Sequence, residues 1–187
     1  RIRARLTGQV PSLRLAYHQR EADLSIEAIT AELEAAPGRL AVSIPNLVTR
    51  RPHARVSLDV VSDDSAHPRI VIDLKGSVDD VASVREAALV FLSDVAEARG
   101  VFDVVRGGKI PSITVSARGE SLADLGRLEN ILIRGQMEQG RIFIPGVELD
   151  LDDVYGDVVI AGGILEGSHL RAHYRGTRGQ NGFLRLG

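Results

Sequence analysis

The fold is decided by residues 140–187, which read GRIFIPGVELDLDDVYGDVVIAGGILEGSHLRAHYRGTRGQNGFLRLG. Apolar and polar residues alternate here in short runs, and a period of two places each apolar set on one face of a β-strand. Glycine-containing breaks separate the runs, because glycine takes the positive φ angles of tight hairpins. The pattern therefore predicts an antiparallel meander with one apolar face. The apolar positions proposed for that face are Ile142, Ile144, Leu149, Leu151, Val158, Ile160, Leu170 and Ala172.

The alternation extends outward to both ends, through residues 1–76 and 110–187, and predicts about ten strands. One strand contains Leu40, Val42 and Ile44 and is expected to end at Pro45-Asn46. At Ile29 the apolar phase shifts by one residue. Both a β-bulge and a helical turn explain this shift, since the segment ITAELEAA contains good helix formers.

Residues 77–106 interrupt the strands with a helical pattern, and a helical insertion is predicted at about residues 78–106. Ser77 suits the N-cap position, and Gly100 suits the position after the helix. Apolar residues recur at steps of three and four, as in the stripe of an amphipathic helix. We expect the stripe to cover the end or the open face of the sheet. Its members are Val81, Val84, Ala88, Phe91, Leu92 and Val95.

Composition excludes several classes of function. The 187 residues include 23 basic and 25 acidic side chains, for a net charge of −2, so no electrostatic attraction to nucleic acid is expected. Cysteine is absent, which excludes disulfides and thiolate metal sites. Aromatic residues make up 4%, too few to predict a stacking platform for single-stranded nucleic acid.

No motif in the sequence predicts catalysis. His169 and His173 lie on a strand pattern, where a separation of four residues spans roughly 13 Å, too far for one metal ion. The acidic residues from Glu148 to Asp153 alternate with leucines, as on a solvated strand face. Nucleophile elbows, phosphate loops and dinucleotide fingerprints are missing. We therefore expect no catalytic residues, no metal, no cofactor and no enzymatic activity.

The ends of the sequence fall inside strand-like patterns, so we interpret residues 1–187 as a single β-rich piece of a longer protein. The sequence has no apolar run of about 18 residues that would span a bilayer. A membrane anchor, if the parent protein has one, is therefore expected outside this sequence.

Residues 128–186 resemble the AsmA-like and TamB-like proteins of Gram-negative envelopes, in which strands of the form G-x-I-x-I-P, D-L-x-D-V-x-G and G-x-L-x-x-x-x-L-x-A succeed one another. The matching residues are Gly140, Ile142, Ile144 and Pro145, then Asp150, Leu151, Asp153, Val154 and Gly156, and finally Gly163, Leu165, Leu170 and Ala172.

The resemblance implies a sheet strongly twisted or curled into a groove, with the helix as a cap or plug. It implies a periplasmic, non-catalytic segment of a protein anchored in the inner membrane. The apolar groove of such a protein would carry phospholipid acyl chains between the two membranes or serve outer-membrane biogenesis. The eight apolar positions from Ile142 to Ala172 given above are the candidates for lining that groove. Neighbouring β segments of the same parent chain would be its other partners.

Two other readings of the alternation stay open. A structural or adhesive β-domain of a large envelope protein would have the same aliphatic residues in a closed core, and would bind a protein partner through strand edges. A polysaccharide-active β-solenoid would need a cluster of buried carboxylates, which the alternation does not predict. The first alternative differs from the groove in whether the apolar face is exposed to solvent.

Overall fold

The computed structural model describes residues 1–17, 20–64, 68–92 and 96–186. It has one antiparallel sheet of ten strands whose spatial order is their order in the chain. The sheet is not closed, since β1 and β10 form its two edges. The predicted mainly β meander is therefore confirmed. The strands are β1 (Ile2–Tyr17), β2 (Arg20–Ala36), β3 (Arg39–Arg51), β4 (His53–Asp63), β5 (Arg69–Val78), β6 (Val105–Gly119), β7 (Ile131–Ile144), β8 (Leu149–Ala161), β9 (Ile164–Tyr174) and β10 (Thr177–Leu186).

The helical insertion lies between β5 and β6 and contains α1 (Val81–Leu92) and α2 (Ala96–Val104). The N-cap of α1 is Asp80, which corrects the prediction of Ser77. The Asp80 carboxylate accepts hydrogen bonds from the Ala82 N–H, at 3.1 Å, and from the Ser83 hydroxyl. Ser77 cannot cap a helix because it belongs to β5, where it pairs with Arg55 of β4.

Gly100 lies inside α2 and does not end a helix, so that prediction was wrong as well. The helix continues beyond Gly100 because Val101 and Phe102 pack toward the sheet. Burial of these two side chains compensates for the cost of glycine in a helix, which is about 1 kcal/mol. The Arg85 side chain of α1 donates to the Phe102 carbonyl at 2.9 Å and joins the two helices.

The ambiguous segment around Ile29 is part of strand β2. The phase shift is a β-bulge on β2: the register of β2 changes between Ile26 and Ala28 against β3, and between Ile26 and Ile29 against β1. Strand pairing on both sides of β2 outweighs the helix propensity of this segment. Strand β3 likewise continues through Pro45-Asn46, contrary to the prediction, because a register shift between Ile44 and Leu47 accommodates the proline.

Short helical turns join the later strands. The turn α3 (Leu122–Leu125) and a 3₁₀ turn (Leu128–Asn130) connect β6 to β7, and a second 3₁₀ turn (Pro145–Val147) connects β7 to β8. Leu125 and Ala117 are both buried, and α3 contacts β6. The α3 turn therefore covers one end of β6.

The two faces of the sheet differ in chemistry. We call the face on which α1 and α2 pack the inner face; Ile113, Ile133 and Ile160 lie on it beside helix residues. Directly paired residues on antiparallel strands project to the same face. The register therefore places one aliphatic row across six strands of the inner face, from β3 to β8. The row consists of Ile44, Leu58, Leu74, Val115, Ile133 and Ile160.

Candidate apolar binding face

The aliphatic row on the inner face is flanked by a parallel one. The second row lies two residues from the first along β3, β4 and β5, and it extends to β2. It consists of the paired residues Leu33, Val42, Val60 and Ile72. Strands lie about 4.8 Å apart, so four such strands make an apolar strip about 14 Å wide. The two rows form a continuous aliphatic surface, and we call its part on β1 to β5 the uncovered face.

Solvent exposure separates the uncovered face from the rest of the inner face. The Leu33 side chain is 38% exposed and Leu6, on the neighbouring strand, is 64% exposed. Leu58 and Leu74, in the middle of the row, are half-buried. At the other end of the same row, Ile160 is only 5% exposed. The apolar residues of these rows on β2 to β5, and Leu6 on β1, are therefore partly accessible to a ligand, whereas those of β7 to β9 are largely buried. Ile26 of β2 and Val78 of β5 lie outside the rows and are buried.

The eight residues predicted for the inner face lie on the buried side. Six of them belong to a cluster around Met137 and Val154, which has the most buried side chain at 1% exposure. The other two, Val158 and Ile160, line a cavity beneath the helices. The six residues of the cluster are Ile142, Ile144, Leu149, Leu151, Leu170 and Ala172.

The structure describes the surroundings of only some residues of the predicted helix stripe. Val81 is buried and Val84 and Ala88 are half-buried, and Val81 and Val84 line the cavity with sheet residues. Phe91 and Leu92 belong to α1, and Val95 lies outside the described residues.

The helices and the inner face line a partly open cavity of about 230 Å³. Val84 of α1 and Val101 and Phe102 of α2 form its roof. Ile113, Ile133 and Ile160 belong to its floor, and its lining is wholly apolar. Helix α1 also contacts β1 and β2, so the helix layer reaches from β6 to the first strands at one end of the sheet.

Sequence reasoning did not assign ligand contact to the uncovered face or to α2. Alternation did predict the strands that carry Leu58, Val60 and Leu74. The sequence does not show which aliphatic side chains are exposed to solvent, because covered and uncovered residues have the same period-two pattern. The insertion predicted at about residues 78–106 includes α2, and the signal for contact of α2 with the sheet is the apolar pair Val101-Phe102, just after Gly100.

The outer face of the uncovered strands carries charge. The Arg1 guanidinium lies within salt-bridge distance of Glu34, and Arg5 Nε lies 3.5 Å from Glu32 Oε1. The hydrogen bond from Arg1 is the main reason why the pKa of Glu34 is lowered. Further along this face, the Ser43 hydroxyl donates to Asp59 at 2.6 Å. On these strands the outer face is thus more polar than the inner face.

The two histidines considered as metal ligands pair with different aspartates. His169 Nδ1 lies 3.2 Å from Asp157 Oδ2, and His173 Nδ1 lies 3.4 Å from Asp153 Oδ2. Within the described ranges, no group of three or more His, Asp or Glu side chains is close enough to hold a metal ion.

No family model matches the chain, and comparison with curated proteins and with solved structures finds no match. The helices in the described part of the chain are all too short or too polar to cross a bilayer.

Proposed function

We propose that the uncovered face binds the acyl chains of phospholipids and that this chain is a non-catalytic, lipid-handling segment. The observation that carries the proposal is the aliphatic surface on β1 to β5, whose side chains are half-buried or exposed although the surface is continuous with the protein's own core. Each methylene group moved from water onto such a surface gains about 0.8 kcal/mol when fully buried. A lipid chain of ordinary length therefore has ample driving force to cover this face.

The proposal includes a curl of the sheet into a groove, and backbone irregularities support it. Register shifts occur in each of the four pairings that join β6 to β10. Residues at the shifts take positive φ angles, among them Gly108 on β6, Gln139 on β7 and His169 on β9. Bulges bend strands and increase their twist, so bulges on neighbouring strands favour bending of the whole sheet. Burial of Val154 among side chains of the same sheet is consistent with such a bend.

The proposed setting is a periplasm-spanning parent of the AsmA-like or TamB-like type, anchored in the inner membrane. Lipid would pass along its groove between the inner and outer membranes or contribute to outer-membrane biogenesis. In the described part of the sheet, β1 and β10 each pair with a strand on one side only. Their free backbone groups are suited to pairing with neighbouring β segments of the same parent chain.

A structural or adhesive β-domain is the second candidate function. The buried cluster around Met137 and Val154 favours it, because that part of the inner face is closed and needs no ligand. On this alternative, a partner protein would pair with a strand edge, and no lipid would bind.

Native mass spectrometry with lipid extraction separates the two candidates. We expect phospholipid to copurify with the chain expressed in a bacterial host. Val60→Asp should abolish this, since Val60 lies on the uncovered face between Val42 and Ile72. The matched control is Val61→Asp, which puts the same charge on the outer face, between Ala41 and Val71. A folded, lipid-free chain that also fails to take up added phospholipid would favour the structural domain.

A further inference from the structure

The cavity beneath α1 and α2 is distinct from the uncovered face, because helices roof it and strands form its floor. Its roof includes Val84, Val101 and Phe102, and its floor includes Ile113, Ile133 and Ile160. Gln136 also lines it, but the Gln136 side-chain amide donates to Asp157 at 3.3 Å. The lining is therefore apolar, even beside the one polar residue.

An apolar cavity of this size has a defined class of ligand. An apolar lining holds water poorly because an ordered water needs two or more polar partners. An engineered apolar cavity of about 150 Å³ in another protein binds benzene, a molecule of six carbons. The present cavity, at about 230 Å³, has room for a hydrocarbon group of that size or somewhat larger.

The cavity continues the uncovered face. Ile133 and Ile160 on its floor belong to the same aliphatic row as Leu58 and Leu74, with Val115 between the two parts. No polar side chain interrupts this row from β3 to β8. A hydrocarbon chain that lies along the row on β4 and β5 is thereby directed toward the space under the helices.

We propose that this cavity receives the methyl end of a single acyl chain, so that the helix pair covers one end of the bound chain and limits the chain length that one bound lipid can bury. The inference rests on the proposed function and deepens it. A surface open at both ends would accept chains of any length. A covered end makes affinity rise with chain length only until the cavity is filled.

Val158 lies on the cavity floor, where a larger side chain would fill part of the cavity. Val158 of β8 pairs with Gly135 of β7 and with Gly167 of β9, neither of which has a side chain. Leu170 covers Gly167, since its Cδ1 would lie 3.1 Å from an added Cβ there. Gly135 lies on the cavity floor between Val158 and Ile113. The larger side chain of Val158→Phe should therefore occupy cavity space above Gly135.

Titration calorimetry with octyl-, decyl- and dodecylphosphocholine, below their micelle concentrations, tests the length limit. We expect affinity to rise by up to about fourfold per added methylene in the unmodified chain, until the cavity is full. In Val158→Phe the rise should stop at a shorter chain, whereas Val61→Phe on the outer face should behave as the unmodified protein. An unchanged length dependence in a folded, binding Val158→Phe variant would overturn the cavity assignment and leave the proposed function standing.

A second measurement uses the unmodified chain and does not depend on how a variant folds. A phosphocholine with a nitroxide at its terminal carbon should broaden the methyl NMR signals of Val84 and Val101 more than those of Leu33. Stronger broadening at Leu33 would show that the chain lies on the uncovered face without entering the cavity. Absence of binding by any of the phosphocholines would overturn both the cavity assignment and the proposed function.

Discussion

Gly108 on β6 and Gly140 on β7 approach so closely that a Cβ atom added to Gly108 would lie 2.6 Å from the Gly140 Cα. Gly108 also has a φ of +113°, which side chains other than glycine rarely adopt. The pair lies where the register of β6 against β7 shifts, between Gly107 and Lys109. This contact therefore fixes one of the bulges that occur from β6 to β10.

Gly108→Ala should lower the free energy of unfolding by more than about 1 kcal/mol, because the backbone atoms of β7 cannot move aside for the added methyl group. Gly8→Ala is the control, since nothing lies within 4 Å of the Cβ that it would add. Urea denaturation measures both. Equal stability of the two variants would argue against a tightly packed bulge at Gly108.

A substitution by aspartate should lower the free energy of unfolding much more on the buried part of the inner face than on the uncovered part. Ile160→Asp, and likewise Ile144→Asp, buries an unpaired carboxylate and should cost about 4 kcal/mol or more, or prevent folding. Leu33→Asp should cost about 1 kcal/mol or less, because the side chain there already contacts water. Urea denaturation would contradict the uncovered face if Leu33→Asp unfolded the chain as readily as Ile160→Asp.

The cap of α1 is testable by itself. Asp80→Ala removes the acceptor for the Ala82 N–H and should destabilise the chain by about 1 kcal/mol. Glu86→Ala, in the same helix, keeps the cap and should be close to neutral, since alanine is a good helix former. Thermal unfolding followed by circular dichroism compares the two. A neutral Asp80→Ala would show that packing, and not the cap, determines where α1 begins.

Acid should weaken the outer-face ion pair between Glu27 and Arg50, in which Arg50 Nε lies 3.2 Å from Glu27 Oε2. The hydrogen bond from Arg50 lowers the pKa of Glu27 below its usual 4.5. The stabilisation is therefore fully present above pH 4.5 and is lost as the pH falls through the lower pKa of the folded state. Glu27→Gln should be less stable than the unmodified chain at neutral pH, and the difference should vanish in acid and shrink in high salt. A difference that is independent of pH would contradict the ion pair.

Alternation was sufficient to predict the strands, because pairing in a meander is local and each strand has one apolar face. Predictions from local sequence preferences were wrong where pairing with a neighbouring strand determines the backbone conformation. Ser77 was predicted to cap a helix but is held in β5 by β4. The segment after Ile29 was open between a β-bulge and a helical turn, and pairing with its neighbours holds it in β2. Tertiary pairing thus overrode local propensity at both places.

The proposed binding face could not be predicted from the sequence. Leu58 and Ile160 have the same alternating context and lie in the same row, yet Leu58 is half-buried and Ile160 is buried. The difference depends on which strands α1, α2 and α3 cover, and period-two patterns contain no such information. For that reason the sequence-based candidates fell on the covered part of the sheet.

Photocrosslinking with a phospholipid that carries a photoreactive group on one acyl chain tests the central claim most directly. After irradiation, digestion and mass spectrometry identify the labelled residues. We expect labels on Leu33, Leu58, Val60 and Leu74, and not on outer-face neighbours such as Ser57 and Val61. Labels spread equally over both faces of β4, or no label above that of a soluble control protein, would contradict an acyl-chain binding face on this sheet.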